Sequence, residues 1–436
     1  DEDWTVLRLT GRLLAIALDH NRTQERLIHD AEVDPLTGTP NRRVVSAALA
    51  ELLDRGDLGR AVCFIDLDRL KVVNDALGHD AGDLLIREAA DRLTAAVGSD
   101  GLVGRFGGDE FVAIASSSET ECDVFAQRCL DAFARPLMIA GRNWHLSASI
   151  GAVVVDDQRT PSEVLRDADT AMYQAKRAGR GRWRRFQTSD RELVRRRMQL
   201  EQRLGDGIRY GNVWAWFQPV VRASDWSFTG MEALARWEID PDSWVAPNEF
   251  VPLAEELGLI DELGSLMIRQ ALDARDALTA ARGRSCGISV NISPVQVRSD
   301  HLFVELDRLH RERGTAPRLC FEMTEQHMID DTDATLERLH RLRGFGVELA
   351  VDDFGTGYSS LAMLNQVPAD ILKIDRELVS QIGTPSGQAV LAAVIGVAQA
   401  YEMRTVAEGV ETVDEALALR QMGVDRLQGF LFAPVE

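Results

Sequence analysis

Past residue 206 the chain repeats one phrase: a short apolar segment, a polar or ionisable residue at its end, then a helical stretch. The apolar segments read WAWFQPVV, FTGMEALARW, CGISVNIS, RLCFEMTE, VELAVDDFG, DILKID, RTVAEGVE and DRLQGF. Helical patterns such as PNEFVPLAEELGLI and TDATLERLHRLRGFG separate most of them. Eight strands alternating with helices over about 230 residues constrain this half of the chain to a (β/α)8 barrel.

The residues closing those segments carry the chemistry. Glu232 ends the second, Asn291 the third, Glu322 the fourth, Asp352 and Asp353 the fifth, Lys373 the sixth, Glu408 the seventh and Gln428 the eighth. A barrel brings strand ends together at its C-terminal mouth, where such folds keep their active sites. Carboxylates with an Asn and no His form an all-oxygen donor set, which suits Mg²⁺ or Mn²⁺ rather than zinc. Adjacent Asp352 and Asp353 let one carboxylate bridge two ions while the other serves the second, the arrangement used for phosphodiester hydrolysis. Lys373 is placed to position an attacking water or to neutralise transition-state charge. The loop FGTGYSS that follows, rich in Gly and Ser, is a candidate mobile lid.

With 436 residues the chain exceeds what one hydrophobic core organises, so two or three domains are expected. Its net charge of −20 repels a phosphate backbone and argues against general nucleic-acid binding. Cys63, Cys122, Cys129, Cys286 and Cys320 are odd in number and form no CxxC pair, which indicates neither a zinc site nor a disulfide framework and fits a reducing cytoplasm. The longest apolar run, AVLAAVIGVAQA, is too short to span a membrane, and no signal peptide is expected. Because the chain starts at Asp1, directly in a helical pattern, a fragment of something longer is expected.

Residues 4–32 place Val6, Leu9, Leu13, Ile16, His20, Thr23 and Leu27 at alternating steps of three and four. That spacing suits a dimerising coiled coil and equally a single amphipathic helix packed on its own domain. From DPLTGTPNRR to about residue 188, strand and helix patterns alternate in an α/β domain with a mixed or antiparallel sheet. Within it, GRFGGDEFVAI reads as strand, tight turn, strand, and sets Asp109 and Glu110 at the bend. A solvated turn and a functional acid pair both fit that stretch alone. The Arg-rich segment that follows reads as a solvated linker helix over 189–205.

MEALARW, VNIS, FEMTE, VDDFGTGYSSL, LKIDREL, VAEGVET and QGFLF resemble the successive motifs of the EAL family, cyclic di-GMP phosphodiesterases with a TIM-barrel fold. The resemblance covers about residues 206–436. It implies Glu232, Asn291, Glu322 and Asp352 on one metal and Asp352, Asp353 and Glu408 around a second. Lys373 would assist the water, Glu325 would hold the loop, and Gln218, Arg236 and Gln428 would contact the nucleotide.

DPLTGTPNRR, FIDLDRLKVVNDALGHDAGDLL, GRFGGDEF, SASIG and AMYQAKRAGRGR resemble the GGDEF family over about residues 34–188. These are diguanylate cyclases, α+β in fold and related to nucleotidyl cyclase and polymerase palm domains. The resemblance implies two divalent ions held by Asp66, Asp109, Glu110 and the carbonyl of Leu67, bracing GTP for attack on a facing domain's α-phosphate. Gly107 and Gly108 would let the nucleotide approach, Asn74 and Asp83 would read guanine, and Lys176 and Arg180 would hold phosphates. Leu70 and Thr39 stand where the family usually has Phe and Leu, and neither removes a ligand. The product-inhibition motif RxxD is lost, because Gly98 and Gly101 occupy its two positions.

Together these readings give a signalling or coiled-coil helix at 1–33, a GGDEF domain at 34–188, a linker helix at 189–205 and an EAL barrel at 206–436. They imply a homodimer with an upstream sensor domain, acting on GTP and cyclic di-GMP with two Mg²⁺ or Mn²⁺ ions per site. The expected function is bifunctional synthesis and hydrolysis of cyclic di-GMP. The alternatives are a phosphodiesterase with a regulatory, GTP-binding GGDEF half and a cyclic di-GMP receptor without turnover.

Overall fold

A computed structural model describes residues 32–99, 101–115, 119–139, 142–313, 319–324, 333–355, 364 and 366–435. The expected coiled-coil seam, Glu325 and the lid from residue 356 lie outside these residues. The chain divides between Arg197 and Met198 into two compact units.

The first unit contains α1 (Arg42–Asp54), β1 (Ala61–Leu67), α2 (Leu70–Leu77), α3 (His79–Val97), β2 (Leu102–Gly107), β3 (Glu110–Ala115) and α4 (Glu119–Asp131). The small pair β4 (Leu137–Ile139) and β5 (Arg142–Trp144) follows, then β6 (Ala148–Val154), α5 (Pro161–Arg177) and β7 (Trp183–Arg185). Its sheet runs β2-β3-β1-β6-β7, with β1 antiparallel to both neighbours. β1 is buried throughout because helices cover both faces, and the two-residue period of a strand divides its side chains between two cores. Ala61, Cys63, Ile65 and Leu67 join Leu85, Leu93 and Phe125 on one face; Val62 and Phe64 join Val45, Leu49 and Met172 on the other. Thr160, Pro161 and Glu163 start α5 with a capping box, satisfying amides that the first turn leaves unpaired. Gly151 lets α5 press on the sheet, since a Cβ there would lie 1.9 Å from the Ala168 carbonyl oxygen.

α6 (Thr188–Tyr210) takes in the whole expected linker as one helix, and its Leu200, Leu204 and Ile208 join the barrel core. The second unit continues with β8 (Val213–Arg222), β9 (Phe228–Asp240), β10 (Ser243–Val245), α7 (Pro247–Glu256), α8 (Ile260–Arg282) and β11 (Gly287–Asn291). Then come α9 (Pro294–Arg298), α10 (Asp300–Arg313), β12 (Leu319–Thr324), α11 (Asp333–Arg343), β13 (Glu348–Phe354) and β14 (Ile371–Ile374). The last elements are α12 (Arg376–Val379), α13 (Pro385–Ala400), β15 (Arg404–Ala407), α14 (Val413–Gln421) and β16 (Arg426–Gln428). No helix among the described residues is long and apolar enough to cross a membrane.

Strands β9, β11, β12, β13, β14, β15, β16 and β8 close on themselves through the β8–β9 pairing, while β10 adds to the edge of β9. The barrel is not wholly parallel. β8 runs antiparallel to both β9 and β16, because a tight turn at Asp225–Ser227 joins β8 to β9 with no room for a crossover helix. Glu232 therefore pairs with Gln218 in mid-strand instead of closing β9, which runs on to Asp240. Alternate residues face outward, as with Leu372 and Ile374 in the core under the helices, or inward, as with Lys373.

Candidate active sites

Lys373 is the hub of the barrel mouth. Its ammonium, with the side chain 3% exposed, lies 2.6 Å from Glu322 Oε2, 2.6 Å from Glu408 Oε1, 3.1 Å from Asp352 Oδ1 and 3.4 Å from Glu232 Oε2. Asn291 Nδ2 donates to Glu232 Oε1 at 2.9 Å, and Gln428 Nε2 donates to Glu232 Oε2 at 2.6 Å and to Gln218 Oε1 at 2.9 Å. Strands β8, β9, β11, β12, β13, β14 and β16, and Glu408 just past the end of β15, thus each bring a predicted residue to one place.

A regular strand would point Asp352 and Asp353 to opposite faces. Here the β13–β14 register shifts between Val351 and Phe354, and Asp353 adopts φ 55°, the left-handed region that costs a non-glycine residue energy. The bulge turns both carboxylates toward the mouth, where oxygens of Asp352, Asp353 and Glu408 lie within 4.8 Å of one another. That trio is an all-oxygen set suited to a hard divalent cation. Glu232 and Glu322 gather on Lys373 instead.

Charge crowding in a dry site sets the protonation states. Burial, and next the neighbouring charge of Glu232, push Glu322 well above the usual carboxylate range. Burial likewise raises Glu408 to about 8, against the pull of Lys373. Burial opposes the Lys373 charge, yet Glu232, Glu322, Glu408 and Asp352 hold its pKa well above the ordinary value. For Glu232, burial is outweighed by Lys373 and by donated hydrogen bonds, so it stays anionic more readily than a free carboxyl.

Beside the mouth, β9, β11, α7 and α8 enclose a cavity of about 570 Å³ lined by Leu234, Pro247, Val251, Met267, Ile292 and Pro294. Arg236 sits half-buried near it, donating to the Ala235 carbonyl and stacking 5.6 Å from the Trp216 ring, which in turn meets Trp244 edge-on at 5.0 Å. Burial lowers the Arg236 pKa.

In the first unit, antiparallel pairing sets Asp66 of β1 directly opposite Glu110 of β3. Asp109 sits in the β2–β3 turn, whose Gly108 has φ 50°, and its carbonyl accepts from the Leu67 amide at 3.1 Å. Lys176 of α5 reaches across to Asp66 Oδ2 at 2.6 Å. Burial raises the pKa of Asp66 against the pull of Lys176, and burial together with Asp169, Asp66 and Asp109 raises that of Glu110. Among the described residues, Asp66, Asp109 and Glu110 do not converge as tightly as the barrel trio. Asn74 of α2 keeps its Oδ1 buried with no hydrogen-bond partner among the described residues, and it packs against Gly82, next to half-buried Asp83. Arg180 adopts φ 57° just past α5, four residues beyond Lys176.

Three residues with no role assigned from sequence emerge here. Arg105 donates to both Asp34 oxygens at 3.0 and 3.2 Å and to the Gly108 carbonyl at 3.0 and 2.7 Å, tying the acid-bearing turn to the DPLTG loop. Gly82 is required by Asn74, because a Cβ at 82 would lie 1.9 Å from Asn74 Oδ1; a glycine inside a helix was the available signal. Asp169 of α5 adds a further carboxylate, its own pKa raised by burial.

A palm-like sheet with acids at its β2–β3 hairpin, followed by a closed barrel with an acid-lined mouth, defines a two-domain class that pairs a nucleotidyl-cyclase-like unit with a phosphodiesterase-like barrel. The chain belongs to the GGDEF–EAL family of signalling proteins: residues 31–182 match the diguanylate cyclase, GGDEF domain and residues 201–435 the EAL domain. It is 35% identical, over 97% of its length, to the bifunctional diguanylate cyclase/cyclic di-GMP phosphodiesterase MucR of Pseudomonas aeruginosa, covering 63% of that protein. It is 34% identical over 95% of its length to the cyclic di-GMP phosphodiesterase NbdA of the same organism, covering 54% of it. The chain thus spans between half and two thirds of these relatives. The MucR phosphodiesterase solved in complex with c-di-GMP is 34% identical and superposes with a TM-score of 0.51 over 54% of this chain and 97% of that one. The S helix-GGDEF-EAL portion of Vibrio cholerae LapD, 19% identical, shares the fold with a TM-score of 0.58 over 94% of this chain and 98% of that one.

Proposed function

We propose that this chain is a bifunctional cyclic di-GMP turnover enzyme: its GGDEF unit condenses two GTP and its barrel hydrolyses the product to linear pGpG. The observation that carries the reading is the bulged Asp352–Asp353 pair beside Glu408, an oxygen-donor cluster held at the mouth by Lys373. Glu232, Asn291, Glu322 and Asp352 would hold one Mg²⁺ or Mn²⁺ ion, and Asp352, Asp353 and Glu408 a second. When bound, such ions supply Lewis acidity and a water of lowered pKa. Lys373 orients these carboxylates and places positive charge where a phosphodiester would gain negative charge. Arg236, Gln218 and Gln428 would contact the nucleotide, and the apolar cavity beside Leu234 and Pro247 has room for a guanine base.

In the GGDEF unit, Asp66, Asp109, Glu110 and the Leu67 carbonyl are the proposed ligands for ions bracing a triphosphate, with Lys176 and Arg180 as phosphate contacts. Asn74, whose buried Oδ1 has no hydrogen-bond partner among the described residues, would read guanine with Asp83 beside it once that amide turns outward. Condensation joins two nucleotides, so a homodimer is expected, acting under an upstream sensor domain. The Lys176–Asp66 pair and the looser acid cluster support a second reading, in which this half binds GTP only to regulate hydrolysis.

One time course separates them. The chain is given GTP and Mg²⁺, with a parallel reaction from cyclic di-GMP, and nucleotides are resolved by chromatography. Conversion of GTP through cyclic di-GMP to pGpG supports two enzymes; pGpG only from cyclic di-GMP supports the regulatory reading; no turnover but nucleotide binding supports a receptor. Glu110→Ala should abolish synthesis alone and Glu232→Ala hydrolysis alone, and loss of both reactions from either change would overturn independent sites.

A further inference from the structure

The inside of a (β/α)8 barrel is normally filled by layers of large branched side chains. In this barrel the layer beneath the mouth is thin. Its apolar cluster comprises Val220, Cys320, Ala350, Ile371 and Val406, and Gly230, Gly287 and Ser289 contribute almost no volume. The result is a cavity of about 310 Å³ inside the barrel, roofed by Glu322, Lys373 and Gln428.

The floor of that cavity is charged. In register, Ile371 of β14 pairs with Arg404 of β15, and Val406 pairs with Arg426 of β16, so two guanidiniums stand on adjacent strands and line the cavity. Arg404 is ion-paired with Glu348 at 2.7 Å. Arg426 has no hydrogen bond or ion pair from its guanidinium among the described residues, although Glu348 and Asp425 act on it from farther off. Burial and next the charge of Arg404 disfavour its cationic form. Arg426 is half-buried, and a partly desolvated cation with no carboxylate in contact gains from an anionic partner. The fork of a guanidinium matches phosphate-type oxygens, and Thr229, Ser285 and Ser289 add polar groups to the wall. The volume lies at the lower limit of ligand pockets, which excludes a dinucleotide and suits a small ion with a few waters.

We propose that the barrel floor is a binding site for a small phosphate-type oxyanion, held by Arg426 with Arg404 beside it. The site lies beneath the mouth and does not depend on the hydrolase reading.

The test is titration calorimetry of the full chain with inorganic phosphate, without divalent metal and at constant ionic strength set with potassium chloride. The wild type should show a saturable component that Arg426→Met weakens at least tenfold, with far-ultraviolet circular dichroism unchanged. Arg426→Lys, which keeps the charge but loses the fork, should fall between the two and serves as the comparison if Arg426→Met does not fold. Equal phosphate affinity in wild type and folded variant, or no saturable binding by the wild type, overturns the site.

Discussion

Asp353 stands beside Asp352 in sequence and shares its mouth-facing cluster only because its backbone is left-handed, at φ 55° within a bulge of β13. Asn tolerates that conformation better than other side chains but is a weaker cation ligand. Asp353→Asn should therefore keep the fold and its thermal midpoint while weakening Mn²⁺ binding about tenfold, on the order of 1.4 kcal/mol. Calorimetric Mn²⁺ titration beside a melting curve checks this, and a variant that unfolds would point to a structural role instead.

Lys373 balances four carboxylates in a buried site. Lys373→Met should destabilise the metal-free protein by about 3 kcal/mol, the scale of leaving buried charge uncompensated. Saturating Mg²⁺ or Mn²⁺ should restore much of this loss. Urea unfolding with and without metal measures both effects.

Glu408 carries a proton up to about pH 8, far above an unfolded glutamate. A raised folded value means its contribution to stability is complete below the unfolded value and is lost as pH rises through about 8. Metal-free protein should thus lose stability between pH 5 and 9, and Mn²⁺ affinity should rise over the same range as the competing proton leaves. Denaturant melts and calorimetry across pH, using buffers of different ionisation enthalpy to count released protons, test the sign.

Arg105 fastens Asp34 to the Gly108 turn. Burial tends to raise the Asp34 pKa, but hydrogen bonds from Arg105 and Thr37 bring it below the ordinary value. Arg105→Met should cost about 1 kcal/mol at neutral pH, modest because both groups keep some contact with water. The difference should fade as pH drops below the usual carboxylate value, where Asp34 protonates and the pair is lost in either protein. Hydrogen exchange at the Leu67 amide, which is bonded to Asp109, reports whether the turn loosens.

Gly82→Ala places a Cβ 1.9 Å from Asn74 Oδ1 and forces that amide to move. If Asn74 reads guanine, GTP affinity should drop about tenfold, on the order of 1.4 kcal/mol, while α3 gains helix propensity. Unchanged affinity for GTP with a folded variant would remove Asn74 from the guanine site.

The sequence by itself determined the two domains, the barrel class and which acidic residues gather at its mouth. Apolar runs carrying Glu232, Glu322, Asp352 and Glu408 are local patterns, and strand periodicity dictates that alternate residues share a face. The acid pair after Gly107 and Gly108 was equally visible, since turn chemistry is local. Tertiary structure alone decided the rest. The antiparallel entry of β8 depends on which partner closes the barrel, the convergence of both aspartates on a register slip against β14, and the hold of Arg105 on Asp34 on atoms 71 positions apart. The thin layer above Arg426 was likewise hidden, because the emptiness of an interior depends on how eight separate strands fill one volume, and no single strand encodes that sum.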